Sequence, residues 1–263
     1  MSNITVGHDA ELFLQDGKGG FVPAIGLVGG TKEKPFKVDQ GAFQEDNVMA
    51  ELNVDPATTR EEFSDRTKYV MDQLRKHIRP HGLSLSKESA AEFTTEQLDD
   101  PQANMFGCLP DYDAWDICEN PLIDLSGQNK RYAGGHIHIG VPFTNDGMAI
   151  CRFVQRLDMT IGIGMQLLFG ESERSKTYGR WGAHRPTAYG VEYRVPDNSW
   201  LFKPSYRRWV FDVVEEMALQ SDRPPQYTLR NLTDVNKLNS GDKRENLRHF
   251  YTHTTRIKLP KVV

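Results

Sequence analysis

The stretch Ala133-Gly134-Gly135-His136-Ile137-His138-Ile139-Gly140 sets two histidines one residue apart between glycines and isoleucines. In an extended chain successive side chains point to opposite faces, so His136 and His138 share one face and Ile137 and Ile139 the other. Such a strand has an apolar back for a core and an imidazole front. Three other segments repeat the design. In GHDAELFL (residues 7–14) Asp9 and Glu11 are backed by Ala10 and Leu12. In MAELNV (49–54) Glu51 and Asn53 are backed by Leu52 and Val54. In GVEYRVP (190–196) Glu192 and Arg194 are backed by Val191, Tyr193 and Val195.

Taken singly, an H-x-H or D-x-E pair is more commonly a solvated face or a cross-strand ion pair. Four such strands together are poorly explained that way. A buried carboxylate without a partner is very costly, so a face gathering Asp9, Glu11, Glu51, Glu192 and two imidazoles must be open to water, paired with cations, or both. Divalent metal meets that demand. With carboxylates in the majority, imidazole in the minority and no thiolate nearby, the ligand types favour Mg2+ or Mn2+ over structural zinc. Magnesium commonly bridges protein carboxylates to substrate phosphates, and Arg194 has forked donors for the same phosphates. Arg180 and Arg185 lie just upstream in YGRWGAHRP (178–186). The set points to nucleotide-dependent phosphoryl chemistry. Two further segments are weaker. GLVGGTKEKP (26–35) places glycines before Thr31 and Lys32 without Walker spacing, so a hairpin turn with exposed lysines is its default reading. GCLPDYDAWDICENP (107–121) supplies Asp111, Asp113 and Trp115 to line a groove or cap a sheet.

The rest of the chain bounds these readings. Its 263 residues, 38% hydrophobic, suffice for one large core, and no repeat, low-complexity tract or linker divides them. The 32 basic and 36 acidic residues give a formal charge of −4, which offers neither nucleic acid nor a membrane surface a basic footprint. The first residues lack a positive and then apolar leader and no run of eighteen apolar residues occurs, so a cytoplasmic protein is expected. Cys108, Cys118 and Cys151 are odd in number and form no C-x-x-C, which argues against a disulfide framework or a zinc ribbon.

Periodicity predicts strands over Ile4–Leu14, Phe21–Leu27, Val48–Val54 (ended by Pro56) and Ala188–Val195, with DGKGG as the first turn. It predicts a helix over Thr58–Ile78, with Thr58 and Glu61 at capping-box spacing and Phe63, Thr67, Val70, Met71, Leu74 and Ile78 on one stripe. A second helix starts at Asn145 or Asp146 and runs to Gly170 despite two internal glycines, and a third covers Pro204–Gln220. The segment from Asn231 to His253 reads as partly helical. Hairpins with interspersed helices imply an α+β fold, not a doubly wound parallel sheet.

With these segments in this order, the chain resembles the glutamine synthetase-like carboxylate-amine ligases. GHDAELFL is similar to their G-x-[DE]-x-E strand, EDNVMAELNVDPA (45–57) to their second acidic strand, GGHIHIG to G-x-x-H-x-H, and VEYRVPDNSW (191–200) to E-x-R-x-P-D. Within that superfamily it resembles the phage-type COOH-NH2 ligases, type 2, which also carry segments like GGTKEKP, QEDNVMAELN and YGVEYR. The likeness covers residues 7 to about 200.

The resemblance implies a single glutamine synthetase/guanido kinase-like catalytic domain over 1–263. Its curved antiparallel sheet would carry helices on its outer face, with core motifs at 7–200 and a helical part at 201–263. It implies a two-metal ATP site. Glu11 and Glu51 would hold one ion with Glu45 or Asp46, and Asp9, His136 and Glu192 the ion bridging the phosphates. His138 would lie beside phosphates or substrate, Arg194 would contact the transferred phosphoryl group, and Arg180 or Arg185 would be a further phosphate arginine. Lys32 would join His138, Arg185 and Arg194 at the nucleotide. Asp9 stands where glutamate is usual. The first metal-binding strand begins within ten residues, so no small β-grasp domain is expected before it. The implied reaction is ATP-dependent amide formation from a small-molecule or peptide carboxylate and an amine through an acyl phosphate, with Asp46, Asp111 or Asp113 as general base. A guanidino kinase-like phosphotransferase, a metal-dependent hydrolase and a nonenzymatic binding protein are the competing classes.

Overall fold

The computed structural model describes residues 4–104, 110–121, 127–220, 224–237 and 239–261; Cys108 lies outside them. Ten strands form one antiparallel sheet: β1 (Thr5–His8), β2 (Glu11–Leu12), β3 (Phe36–Val38), β4 (Gly41–Asp46), β5 (Met49–Ala57), β6 (Tyr112–Asp113), β7 (Cys118–Glu119), β8 (Ile137–Gly140), β9 (Ala183–Thr187) and β10 (Gly190–Tyr193). Their spatial order is β7-β6-β9-β10-β8-β1-β5-β4-β3, with β2 also paired to β5. The α+β class with a large antiparallel sheet is therefore as the sequence leads one to expect.

Alternation holds in the four marked segments. Ala10, Leu12, Leu52, Ile137, Ile139, Val191 and Tyr193 are fully buried, and Val54 is nearly so. They share one core with α1 (Arg60–Ile78), α2 (Gly147–Leu157), α3 (Ile163–Phe169) and α4 (Pro204–Ala218). At roughly 25 cal/mol per Å2 of apolar surface removed from water, this shared burial is the main term holding helices to sheet. Two further helices, α5 (Leu229–Val235) and α6 (Ser240–Thr254), make the segment after Asn231 mostly helical. Among the described residues no helix is long and apolar enough to cross a membrane.

Several boundaries differ from expectation for identifiable reasons. The predicted strand Ile4–Leu14 breaks at Asp9, where the Ala10 amide donates to His8 Nδ1 (3.3 Å) and the Leu52 amide to the Ala10 carbonyl (2.9 Å). The predicted strand Phe21–Leu27 is confined to Phe21–Val22, because Pro23 follows and Gly26 turns the chain at φ +73°. Strand β5 does not stop at Pro56. Its register with β1 shifts between Val6↔Ala57 and His8↔Val54, and this irregularity absorbs the proline, which has no N–H for a regular ladder. Helix α1 begins at Arg60, two residues after the predicted start at Thr58. Thr59 rather than Thr58 is its N-cap, accepting from the Glu62 amide, and the Thr58 amide donates to the Glu62 carboxylate (2.9 Å). The strand predicted over Ala188–Val195 is β10 alone, entered through a turn at 188–189.

The second predicted helix is capped by Asp146 and ends at Gly170, but a π-turn over Asp158–Gly162 divides it into α2 and α3. Its two internal glycines are there for close packing. A Cβ on Gly162 would meet the Trp181 ring at 2.4 Å, and one on Gly164 the Trp209 ring at 2.3 Å.

Candidate active site

Register places the charged side chains in two rows. Across β9, β10, β8 and β1 the aligned residues are Arg185, Glu192, His138 and Gly7. Across β2, β5 and β4 they are Glu11, Glu51 and Gln44. Asp9, at the break after β1, lies between the rows. Two groups of ligand-type atoms result, each within 4.8 Å: Asp9, His138 and Glu192, and Glu11, Asp46 and Glu51.

The second group is strongly acidic. Gly134 N–H donates to Glu11 Oε2 (2.5 Å), Gln44 Nε2 to Glu51 Oε1 (2.8 Å), and Lys32 Nζ lies 3.3 Å from Asp46 Oδ2. Burial, reinforced by the Asp46 charge, raises the Glu11 carboxyl to about 7 against the pull of the Gly134 amide. Burial and then the charges of Asp9 and Asp46 raise Glu51 well above the usual carboxylate range. Lys32 is half-exposed and so offsets little of this repulsion. Glu45, the alternative to Asp46, alternates onto the opposite face of β4, where its carboxylate accepts from the Gly29 amide (3.0 Å).

In the first group, His136 Nδ1 is 3.4 Å from Asp9 Oδ1 and 3.5 Å from Glu192 Oε1, while His138 Nε2 is 3.0 Å from Asp9 Oδ2. Burial works against ionisation of Asp9, yet the imidazoles of His136 and His138 hold it well below the carboxylate range. Burial likewise opposes charge on His138, and Asp9 outweighs it and raises the pKa. Burial and then Arg194 depress His136 to about 4, so it is neutral near pH 7. Arg174 Nη2 donates to its Nε2 (2.8 Å), which leaves the proton on Nδ1 facing the carboxylates. In that tautomer His136 offers an N–H to Asp9 and Glu192 rather than a lone pair. His138, expected at phosphate or substrate, is the imidazole whose ligand atom groups with Asp9 and Glu192.

Glu192, 2% exposed in its side chain, accepts from Arg185 Nη1 at Oε2 (2.9 Å) and from Arg194 Nη1 at Oε1. Arg194 Nε donates to Asp111 Oδ2 (3.2 Å). Of the two candidate phosphate arginines Arg185 is in the cluster, whereas Arg180 is exposed. Asp113 caps its own turn, accepting from the Trp115 and Asp116 amides (2.7 and 3.2 Å).

Sequence reasoning missed Arg174, Gln44 and Tyr189. Arg174 is 4% exposed and also donates to the carbonyls of Arg194, Val195 and Pro196 (3.0, 3.2 and 3.3 Å). It sits on a short turn where no periodicity marks it. Tyr189 hydrogen-bonds His138 Nδ1 from the β9–β10 turn. Gln44 two residues before Asp46 was the one detectable signal, since a strand puts both on one face.

The donor sets fit divalent metal. Asp9 Oδ1 and His138 Nε2 are buried with no well-directed hydrogen-bond partner among the described residues. The carboxylates of half-buried Glu11 and buried Glu51 repel one another, with half-exposed Lys32 and the Arg174 guanidinium offsetting part of the charge, and oxygen-rich sets with a single imidazole suit Mg2+ or Mn2+.

The family model described as phage phiEco32-like COOH.NH2 ligase-type 2 matches residues 126–258. The chain belongs to this family. The matched part of this ligase-family chain carries His136, His138, Arg174, Arg185, Glu192 and Arg194; Asp9, Glu11, Lys32, Asp46 and Glu51 precede it. Two solved structures are similar to the chain. One, "GmaS/ADP complex-Conformation 1", has 12% identity and a TM-score of 0.48, covering 95% of this chain and 65% of that one. The other, "Crystal structure of novel glutamine synthase homolog", has 12% identity and a TM-score of 0.39, covering 96% and 66%. The chain thus spans about two thirds of the length of either. No curated protein sequence matches it.

Proposed function

We propose that this chain acts as one catalytic unit that joins a carboxylate to an amine at the expense of ATP. The observation that carries this reading is the pair of ligand groups, Glu11/Asp46/Glu51 and Asp9/His138/Glu192, side by side on one sheet face with Arg185 and Arg194 at its end, in a member of a COOH-NH2 ligase family. In the reaction, a substrate carboxylate oxygen attacks the γ-phosphorus, ADP leaves, and an amine displaces phosphate from the acyl phosphate to give the amide.

Mg2+ or Mn2+ held by the two groups would neutralise phosphate charge during transfer. Arg194 and Arg185 supply forked donors to the equatorial phosphate oxygens, with Glu192 orienting both guanidinium groups in advance. Arg174 fixes the tautomer of His136, whose Nδ1 side faces Asp9 and Glu192. His138 and Lys32 face the phosphates from the two rows. Of the three carboxylates considered for the amine proton, Asp113 is taken up by its turn, Asp111 by Arg194, and Asp46 by Lys32 and its place in the acidic ligand group, so none is singled out as the base and the proton leaves with the departing phosphate or to water.

The test supplies ATP and Mg2+ or Mn2+ with pools of carboxylates and amines. Phosphate release that requires both pools, an amide product in the mixture, and loss of both signals in Glu192→Gln and Arg194→Ala are expected. Release indifferent to amine, phosphorylated guanidine as product, or turnover without nucleotide would each replace the ligase reading with another class.

A further inference from the structure

Behind the arginine end of the site, on the opposite face of the sheet, lies a fully buried carboxylate that the reaction does not use. Asp158 opens the π-turn between α2 and α3 and is 0% exposed. Its Oδ2 accepts from Trp115 Nε1 and from the Gly182 amide, both at 2.6 Å, and its Oδ1 from the Tyr193 hydroxyl at 2.8 Å. Burying a carboxyl is costly, and three donors converging on one is more than packing alone requires.

Each donor belongs to a different segment of the charged cluster. Trp115 follows β6 in the turn whose chain begins at Asp111, the partner of Arg194 Nε. Gly182 opens β9, which carries Arg185. Tyr193 separates Glu192 from Arg194 on β10. The segments are also close-packed around this node. The Ala114 amide donates to the Gly182 carbonyl (3.0 Å), Gln155 Nε2 donates to the Ala114 carbonyl (2.8 Å), and a Cβ on Gly182 would meet Asp113 Oδ1 at 2.5 Å. Helix departures of the π type recur at functional sites, where they re-aim a side chain; here the turn aims Asp158 at the sheet.

We infer that Asp158 is a positioning residue: from behind the sheet, one carboxylate sets the three segments that hold Asp111, Arg185, Glu192 and Arg194, and so fixes the Arg194 guanidinium. For the part Arg194 plays in catalysis this rests on the ligase reading; for where its guanidinium sits it rests on the hydrogen bonds alone. Reactions governed by oriented donors lose rate when a donor is displaced by a fraction of an ångström.

Trp115→Phe and Tyr193→Phe each delete one donor to Asp158 and touch none of the charged groups. Two readouts are taken on the full chain. The first is the 15Nε–1Hε NMR signal of Arg194, assigned by its absence in Arg194→Lys, with the signal of Arg207, whose Nε donates to the Ser64 carbonyl (3.1 Å), as internal reference. The second is kcat and the KM for ATP in amine-dependent phosphate release with Mn2+. The inference expects the Arg194 signal to shift or broaden while Arg207 stays, kcat to fall at least tenfold, and KM to change less than threefold. An unmoved Arg194 signal overturns it even if the melting temperature drops, because Asp158 then only stabilises the fold. A moved signal with wild-type kcat overturns it too. If the signal moves but the wild-type protein shows no amine-dependent release, the placement of Arg194 stands and the ligase reading falls. Should Tyr193→Phe fail to fold, Trp115→Phe decides the matter.

Discussion

Glu192 is the residue on which the basic end of the site turns. Two guanidinium groups converge on a carboxylate that is almost wholly buried, and Glu192→Gln leaves one acceptor oxygen where both now bind. Amine-dependent phosphate release should fall at least about 100-fold in that variant, and the urea midpoint should correspond to a loss of about 2 kcal/mol; unchanged values in both assays would remove Glu192 from the machinery. Asp158 makes a pH prediction. Burial, opposed by its three hydrogen bonds, raises its carboxyl to about 7. An acid raised in the folded state holds its proton there after the unfolded chain has lost it. The contribution of this group to stability is therefore full below about pH 4 and is lost as pH rises through 7. Relative to wild type, Asp158→Asn should gain up to about 4 kcal/mol between pH 4 and pH 8. Urea titrations at the two ends measure the difference, and parallel curves would refute it. At this scale the sequence was legible wherever period-two alternation applies. It told which face Asp9, Glu11, Glu51, Glu192 and the histidines occupy. It left Glu45 and Asp46 unresolved because the turn between β4 and β5 had not been located, and it could not show that Arg174 reaches His136 across 38 positions.

Among the elements, β8 shows how backbone contact carries the site. Gly135, just before the strand, donates its amide to the Pro196 carbonyl (2.9 Å), and its own carbonyl accepts from Trp200 Nε1 (3.1 Å). A Cβ there would meet the Asp197 carbonyl oxygen at 2.1 Å and the buried Trp200 Nε1 at 2.7 Å. Gly135→Ala should cost more than about 2 kcal/mol in urea unfolding. A variant as stable as wild type would show that the approach is not needed. The same kind of contact explains which boundaries were hidden from periodicity. Pro56 reads as a stop in sequence, and only the pairing of β1 with β5 reveals an irregularity able to hold it. The helix through Gly162 and Gly164 was correctly bounded, but the rings that pack on those glycines, Trp181 and Trp209, come from elsewhere in the chain.

Over the whole molecule, the family match and one of the two ligand groups occupy different parts of the chain. The match begins at residue 126, whereas the Glu11/Asp46/Glu51 group lies in the first 51 residues. If both ligand groups take part in one site, Mn2+ with ATP should raise the melting temperature by roughly 5 °C or more at about 100 times the dissociation constant. Asp46→Asn and Glu51→Gln should abolish most of that rise, and a rise retained in both would exclude the acidic group from binding. The α+β class and the antiparallel sheet were readable from hairpins and stripes, but strand order was not, since pairing between distant segments leaves no local trace.

That order has an evolutionary consequence. Residues 5–57 supply β1 to β5 and residues 112–193 supply β6 to β10, so the sheet is two contiguous blocks joined where β1 meets β8. The seam between them is where the site lies: Asp9 of the first block meets His138 and Glu192 of the second, and Glu11 accepts from the Gly134 amide just ahead of β8. A recombinant of divergent relatives should therefore keep its activity only where the incoming half still presents acids that the resident histidine and glycine can face.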